Sequence, residues 1–551
     1  MTPRHRSSSF LPALVLVAWC CGCGESETAP APEIALTPAE WTDSLRLDDR
    51  AGGMLEFYGN FYNLSVASHD PNPYRAEYRA GWVQGKLSRG LVPAARDNTL
   101  EGAVREAGLP VELIGPLKWI VELVLTVNLD YTLDWVERCP DPGVREKMCC
   151  LIYRMLGIAR GASGEGPQET RFDGEEILDL DFFQGHGLEL SYGQDEVSFQ
   201  DIHFLNAATD LVDLASVLLP VGALADRCSA FIVRTGTDLI LAHTTWTLYS
   251  LSLPMRVNLR VNGEYLSAQA MAPGLLASAT DFGYNGHGLI FNETTVTQQE
   301  QARPRVGALW TCWRAALAET YARSLEEFFD YLSLENSGTY MNGYQIAEAD
   351  TKRFGLVEMD ETRFTFFRPR EEGGYEVVCR PDCATGEYDQ TMLTPDTLIG
   401  FNFPVSHAVR ESLHYPADPA SRDARYGQFL ERIDTVTDLA SARALITFHD
   451  PRVPRSIYSR WDRVESHPRP GGAVDAKVVS ASLLLPYLQG AGALEPGFWW
   501  GRSDSCWMKF GPPYEDIGAF VWSESPWKDW RHDLLPDRMA GDWQMYFSHI
   551  Q

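Results

Sequence analysis

Apolar residues recur at helical spacing in the first part of the chain and at strand spacing after residue 228. "PYRAEYRAGWVQGKLSRGLVPAARDN" carries small and apolar residues on one repeating face through Leu87 and then breaks. "LKWIVELVLTVNLDYTLDWVERC" after Pro116 is a second helix, read as core; its Lys118, Glu122 and Asp130 argue against a membrane span. "FQDIHFLNAATDLVDLASVLLP" is a third amphipathic run. Its His203 has no partner at helical spacing and reads as a packed or surface histidine, not a ligand.

From Cys228 onward the runs are short, rich in Val, Ile, Leu and Tyr, and bounded by Gly, Asn and Pro. "PMRVNLRVNGEYLSAQAM" carries the Asn-Gly of a tight hairpin, and "HGLIFNETTV" is a further strand. A helical interval follows at "LWTCWRAALAETYARSLEEFFDYLS". Length suggests two to four domains or one large body. The alternation of helices, many strands and helices favours a layered α/β or α+β body, and no internal repeat stands out.

"CSAFIVRTGTDLILAH" reads as two strands about a Thr235-Gly236 turn, which places Cys228 opposite His243. Ala230, Ile232, Leu239 and Leu241 then line one face, and Phe231, Val233, Ile240 and Ala242 the other. Both faces are apolar, so the hairpin is expected to be covered on both sides. Strand geometry alone leaves Cys228 open as a buried small hydrophobe or as a thiol beside its helper.

The first residues, "MTPRHRSSSFLPALVLVAWCCGCGESETAPAPE", give basic residues, an apolar run from Phe10 to Trp19 and then small residues with cysteines. This is the pattern of a cleaved export signal, and Cys23 after Gly22 is the candidate for lipidation. Residues 1–23 are assigned to the signal and 24–45 to a Pro/Ala/Glu tether. The expectation is an exported bacterial lipoprotein held at the membrane by its anchor. The 75 acidic against 47 basic residues give a net charge of −28, which argues against nucleic-acid partners. Export would permit disulfides, with Cys139–Cys149 (or Cys150) and Cys379–Cys383 as the close pairs. No cysteine set is joined by histidines at zinc-finger spacing, so neither metal nor cofactor is expected.

"CSAFIV" followed by "LILAHTTW" resembles the Cys-Ser-Ala and His-Asn-Thr-Trp blocks of the phospholipase B-like (lamina-ancestor) family of N-terminal-nucleophile hydrolases. "AGWVQGKLS", "NSGTYMNGYQ", "GGAVDAKVVSA" and "GPPYEDIGAFVWSESPW" are similar to further blocks of that family, in its order. The resemblance implies an α+β fold of the four-layer αββα kind. It also implies a precursor that cuts its own backbone before Cys228, leaving a helix-rich fragment within 46–227 and a second fragment, 228–551, of the same fold.

By matching position, the resemblance makes Cys228 the nucleophile, with its freed α-amine as base. It sets His243 and Trp246 beside the thiol and Asn342, with Asn336 in reserve, at the oxyanion. Thr244, Glu293 and Thr294 become possible lining residues. Three departures stand out: Thr244 for the usual Asn, Met341 and Gly343 within the Asn-Asn-Gln block, and Arg227 before the nucleophile. The implied activity is removal of acyl groups from lipids through a thioester. An acyl-amide substrate and a non-enzymatic, lipid-anchored binding protein are the alternatives. A serine elbow is not supported by "GASGEG", nor a papain-like site by His407.

Overall fold

A computed structural model describes residues 41–547 apart from 59–60, 107–108, 168–171, 173, 219–227, 271, 279–280, 297–303, 383–385, 422, 454, 464–468, 491–504 and 533. The Phe10–Trp19 run, Cys23 and Arg227 therefore fall outside the described residues. Residues 41–45, given to the tether by composition, belong to the strand Trp41–Arg46, which pairs with Gly52–Phe57.

The architecture is α+β. Among the described residues, an eleven-stranded sheet contains three strands from before the helical segments, Trp41–Arg46, Ala51–Phe57 and Tyr62–Ser68. Tyr62–Ser68 runs parallel to Met255–Val261; the other pairs of this sheet are antiparallel. Asn262-Gly263 forms the expected hairpin turn, with φ of 51° and 94°, the left-handed backbone that Asn and Gly tolerate best. A seven-stranded sheet contains Cys228–Arg234, Leu239–Leu248 and Asp475–Ser480.

Side-chain alternation directs each sheet to two neighbours. Leu64, Leu259, Phe291, Tyr344 and Val357 of the long sheet share a core with the helices Pro73–Leu87, Pro142–Ser163 and Phe199–Leu218. Tyr284, Ile290, Ala347 and Leu356 point the other way and join Ile232 and Leu241 of the short sheet in a second core. Phe231, on the short sheet's other face, meets Phe429 of the helix Ala424–Arg432 edge-on. The Cys228 hairpin is thus covered on both sides, as its apolar faces require.

Two helices cross with their backbones in contact. A Cβ on Gly81 would lie 2.1 Å from the Arg154 carbonyl oxygen, and one on Gly157 2.1 Å from that of Tyr78. Gly85 and Gly161 repeat the fit one turn along, at 2.1 Å and 2.2 Å. The small-residue face of "AGWVQGKLS" is therefore a packing seam. A buried ion pair, Arg154 Nε to Glu77 Oε2 at 2.7 Å, closes it, and Tyr321 donates to Glu77 Oε1 at 3.1 Å.

The helix Ile114–Arg138 departs from its expected burial. Leu125, Leu129, Leu133 and Val136 are buried, but Trp119, Ile120, Leu123 and Val127 are exposed, Trp119 at 66%. The helix is apolar over more than the one face its neighbours can cover. No helix among the described residues is long and apolar enough to cross a membrane. The interval expected as one helix near residue 320 is two, Thr311–Tyr321 and Leu325–Leu332, with Ser324 capping the second through Glu327 N–H. Cys139, Cys149 and Cys150 are free thiols, which removes the expected Cys139–Cys149 bridge. Cys149 lies inside the helix Pro142–Ser163, its Sγ facing the Gly174 carbonyl at 3.7 Å. Cys383, the expected partner of Cys379, lies outside the described residues.

Two substitutions test these packings by thermal and denaturant unfolding. Gly157→Ala is expected to destabilise by about 1–3 kcal/mol, because the methyl group forces the helices apart. Trp119→Ser is expected to stay within about 0.5 kcal/mol, whereas Leu129→Ala loses about 2–5 kcal/mol.

Candidate active site

The hairpin that carries Cys228 closes one residue later than its sequence suggests. Thr235 N–H donates to the Asp238 carbonyl at 2.9 Å, and Asp238 N–H to Thr235 Oγ1 at 2.9 Å, so Gly236-Thr237 is the turn. Cys228 therefore pairs with Thr245, and His243 with Ala230, which corrects the expected Cys228–His243 opposition. Moving the turn by one residue shifts each partner by two, so facing is preserved and His243 remains a diagonal neighbour of Cys228. The Cys228 sulfur, a His243 ring nitrogen and an Asp281 carboxylate oxygen lie within 4.8 Å of one another, all buried.

Each member is held by a second contact. His243 Nε2 donates to the Glu293 carbonyl at 2.7 Å, which fixes the tautomer because a carbonyl can only accept. Nδ1 is left buried without a hydrogen-bond partner. Burial, then Lys477, holds the imidazole pKa well below its usual value, so the ring is neutral. Asp281 has a φ of 59°. Its Oδ2 faces the Cys228 sulfur at 3.6 Å, and its Oδ1 accepts from the Tyr340 hydroxyl at 3.1 Å. Tyr340 also lies 3.1 Å from Glu293 Oε2.

Electrostatics make this a site of neutral groups and shared protons. Burial raises the Cys228 thiol pKa well above its usual value, with Asp281 and Glu293 adding to the shift; Lys477 and the Trp246 backbone N–H oppose it. Burial also raises Asp281, and burial with the Asp281 charge raises Glu293 well above the carboxylate range. Two neighbouring buried carboxyls of this kind titrate as a pair that retains a proton. Lys477 is the buried counter-charge, donating to Asp475 Oδ1 and Thr245 Oγ1, both at 2.7 Å.

A second set of contacts holds the Cys228 backbone. Its N–H donates to Asn402 Oδ1 at 3.0 Å, and Asn402 Nδ2 donates to the Thr295 carbonyl at 2.7 Å. Arg425 Nη1 donates to the Cys228 carbonyl at 2.6 Å, and its guanidinium is braced by Asp423 at 2.7 Å.

Other residues singled out by sequence sit at varied distances from this centre. Alternation turns Trp246 to the far face of its strand, where its ring lies under the Arg425 guanidinium at 4.8 Å. Thr244, on that same face, donates to the Asp475 carbonyl at 2.6 Å. Asn342 pairs with Thr295, and both polar atoms of its buried amide lack a hydrogen-bond partner. Thr294 pairs with Gly343. Asn336 spends its amide within its own loop, donating to the Asp360 carbonyl at 2.7 Å and accepting from Gly338 N–H at 2.8 Å. Met341 is buried in the core between the sheets.

Sequence reading did not single out Asp281, Tyr340, Asn402 or Arg425. Asp475 and Lys477 lay in a block noticed only for resemblance, although an acid and a lysine two apart in a strand share a face. For Asp281, Asn402 and Arg425 no spacing signal exists.

The paired carboxyls give a pH-dependent prediction. Their folded pKa values are raised, so their contribution to stability is full below the unfolded carboxylate range and is lost as pH rises through the folded values. Glu293→Gln removes the Glu293 share of that dependence and leaves that of Asp281. Melting temperatures measured from about pH 5 to about pH 8 are expected to fall more steeply for the parent protein than for the variant. Equal slopes would refute the shared-proton assignment.

The Phospholipase B family model matches residues 182–546. Phospholipase B-like 1 of Rattus norvegicus is 27% identical over 323 residues, covering 52% of this chain and 56% of that protein. Phospholipase-B 81 of Drysdalia coronoides is 32% identical over 335 residues, covering 52% of this chain and 58% of its own. Phospholipase B-like protein C of Dictyostelium discoideum is 24% identical over 352 residues, 58% of each chain. The matched stretch thus spans a little over half the length of these curated relatives. With most of the chain matched by the family model, the protein belongs to the phospholipase B family.

Proposed function

We propose that the protein is a hydrolase that removes acyl groups from lipids, using Cys228 as an N-terminal nucleophile after backbone cleavage in front of it. The carrying observation is the independent anchoring of both ends of the reacting unit: the Cys228 N–H on Asn402 and its thiol beside Asp281 and His243. The packing order of helices, long sheet, short sheet and helices supports an αββα sandwich of the N-terminal-nucleophile kind.

Cleavage would turn the Cys228 N–H into an α-amine, a base with a pKa of about 7.7–8.0 that is partly neutral near neutral pH. Asn402 Oδ1 accepts one of its hydrogens and aims its lone pair, while Arg425 fixes the carbonyl behind it. The amine takes the thiol proton as sulfur attacks the acyl carbonyl, and returns it to the leaving group. Water activated by the same amine then hydrolyses the thioester. Asn342 pairs with Thr295 and has an unspent buried amide, which supports a role as donor to the oxyanion. The buried thiol stays protonated until the amine acts, which suits base-assisted attack rather than a standing thiolate. That these relatives are named phospholipases B supports a lipid ester as substrate. A lipid anchor at Cys23 belongs to the same proposal and is tested by the mass of the N-terminal fragment.

Intact mass under reducing, denaturing conditions tests the cleavage. Two fragments, the second starting at Cys228, are expected from the parent chain, and one uncut chain from Cys228→Ala. An uncut parent chain without turnover on phospholipid or acyl-amide substrates would favour a binding protein instead. In a processed enzyme, Asn342→Ala is expected to lower kcat by about 10²–10³-fold with little change in KM.

A further inference from the structure

We propose that Cys228, His243 and Asp281 form a site for a soft divalent cation of the zinc class, which enters in place of the thiol proton and caps the sulfur. Thiolate, imidazole and carboxylate are the three ligand types such an ion takes, and three protein ligands leave a fourth position open. Metal–ligand bonds of about 2.0–2.3 Å in a tetrahedron hold neighbouring ligand atoms about 3.3–3.8 Å apart. The sulfur and Asp281 Oδ2 are already 3.6 Å apart, and all three ligand atoms lie within 4.8 Å of one another.

The outer contacts favour the same reading. A metal-bound histidine ordinarily donates its other ring N–H to a carbonyl or carboxylate. Here Nε2 donates to the Glu293 carbonyl at 2.7 Å, which leaves the buried Nδ1 lone pair without a hydrogen-bond partner. Asp281 has the matching arrangement: Oδ1 accepts from Tyr340 at 3.1 Å, while Oδ2 turns to the sulfur. Lys477 is the nearby opposing cation, and Asp475 neutralises it at 2.7 Å. The ion's two charges would match one thiolate and one carboxylate.

The exchange balances without electron transfer. The S–H bond breaks, a metal–sulfur bond forms, and one proton leaves to solvent per ion bound, so affinity rises with pH. Inhibition by the ion rests on Cys228 being the nucleophile; binding does not. Cys228 and His243 share one hairpin, but Asp281 lies well beyond it in the chain, so no spacing motif announces the full set.

Cobalt(II) is the direct probe, titrated into metal-stripped full-length protein, since a cobalt–thiolate bond gives a near-ultraviolet charge-transfer band that zinc abolishes by displacement. The expected result is one ion per chain, loss of the band in Cys228→Ser, and affinity about 10-fold or more weaker in Asp281→Asn. Zinc should also protect Cys228 from iodoacetamide, read by peptide mass. Near-ultraviolet circular dichroism and melting curves establish that both variants are folded. No band in the parent protein, or a band unchanged in Cys228→Ser (another thiol such as Cys139), overturns the site. A cobalt–thiolate band in a chain that never cleaves or turns over would sink the nucleophile and keep the metal site; a cleaved, active chain without the band would do the reverse.

Discussion

Two buried carboxyl groups beside a thiol, faced by one buried ammonium, form the constraint on which the rest of the site depends. Isolated charges are costly to bury, so such a cluster persists only where each group has partners. Asp475 and Thr245 hold Lys477, while Tyr340 reaches both Asp281 and Glu293. These residues come from both sheets, so the cluster exists only where the sheets meet. The His243–Glu293 hydrogen bond spans that same junction and joins a ring on the short sheet to a carbonyl on the long one.

The layers outside supply rigidity. The two crossing helices reach close backbone contact through Gly81, Gly85, Gly157 and Gly161, because any Cβ there would meet a carbonyl oxygen. The helix Pro73–Leu87 packs on the long sheet, which also carries Glu293 and Asn342. On the opposite side, Arg425 reaches through to the Cys228 carbonyl and supports the Trp246 indole. Trp246 and Thr244 share the far face of the neighbouring strand Leu239–Leu248, and Thr244 ties that strand to the Asp475 carbonyl.

Resemblance and strand geometry carried different parts of the reading. Hydrophobic alternation established that the Cys228 hairpin is buried on both faces and put Cys228 and His243 on one side. It misjudged the turn, because Thr235 and Asp238 close the loop through a side-chain hydroxyl that the alternation does not register. The same limit explains the helix Ile114–Arg138: periodicity reports that a helix is apolar, but not how much of its girth its neighbours cover. Cys139 and Cys149 were close enough in sequence for a ring, yet one follows a helix and the other sits inside the next.

By itself the sequence determined the elements with strong local signals: the Pro73–Leu87 helix and its break, the Asn262-Gly263 hairpin, and the ordered blocks that mark the phospholipase B family. These are encoded by residues a few positions apart, where propensity and periodicity act. Tertiary structure alone decided that three strands before residue 70 complete the long sheet, and that Asp281, Tyr340, Asn402 and Arg425 gather around Cys228. Those residues are brought together by the stacking of two sheets, and contacts made across that stacking leave no periodic trace along the chain.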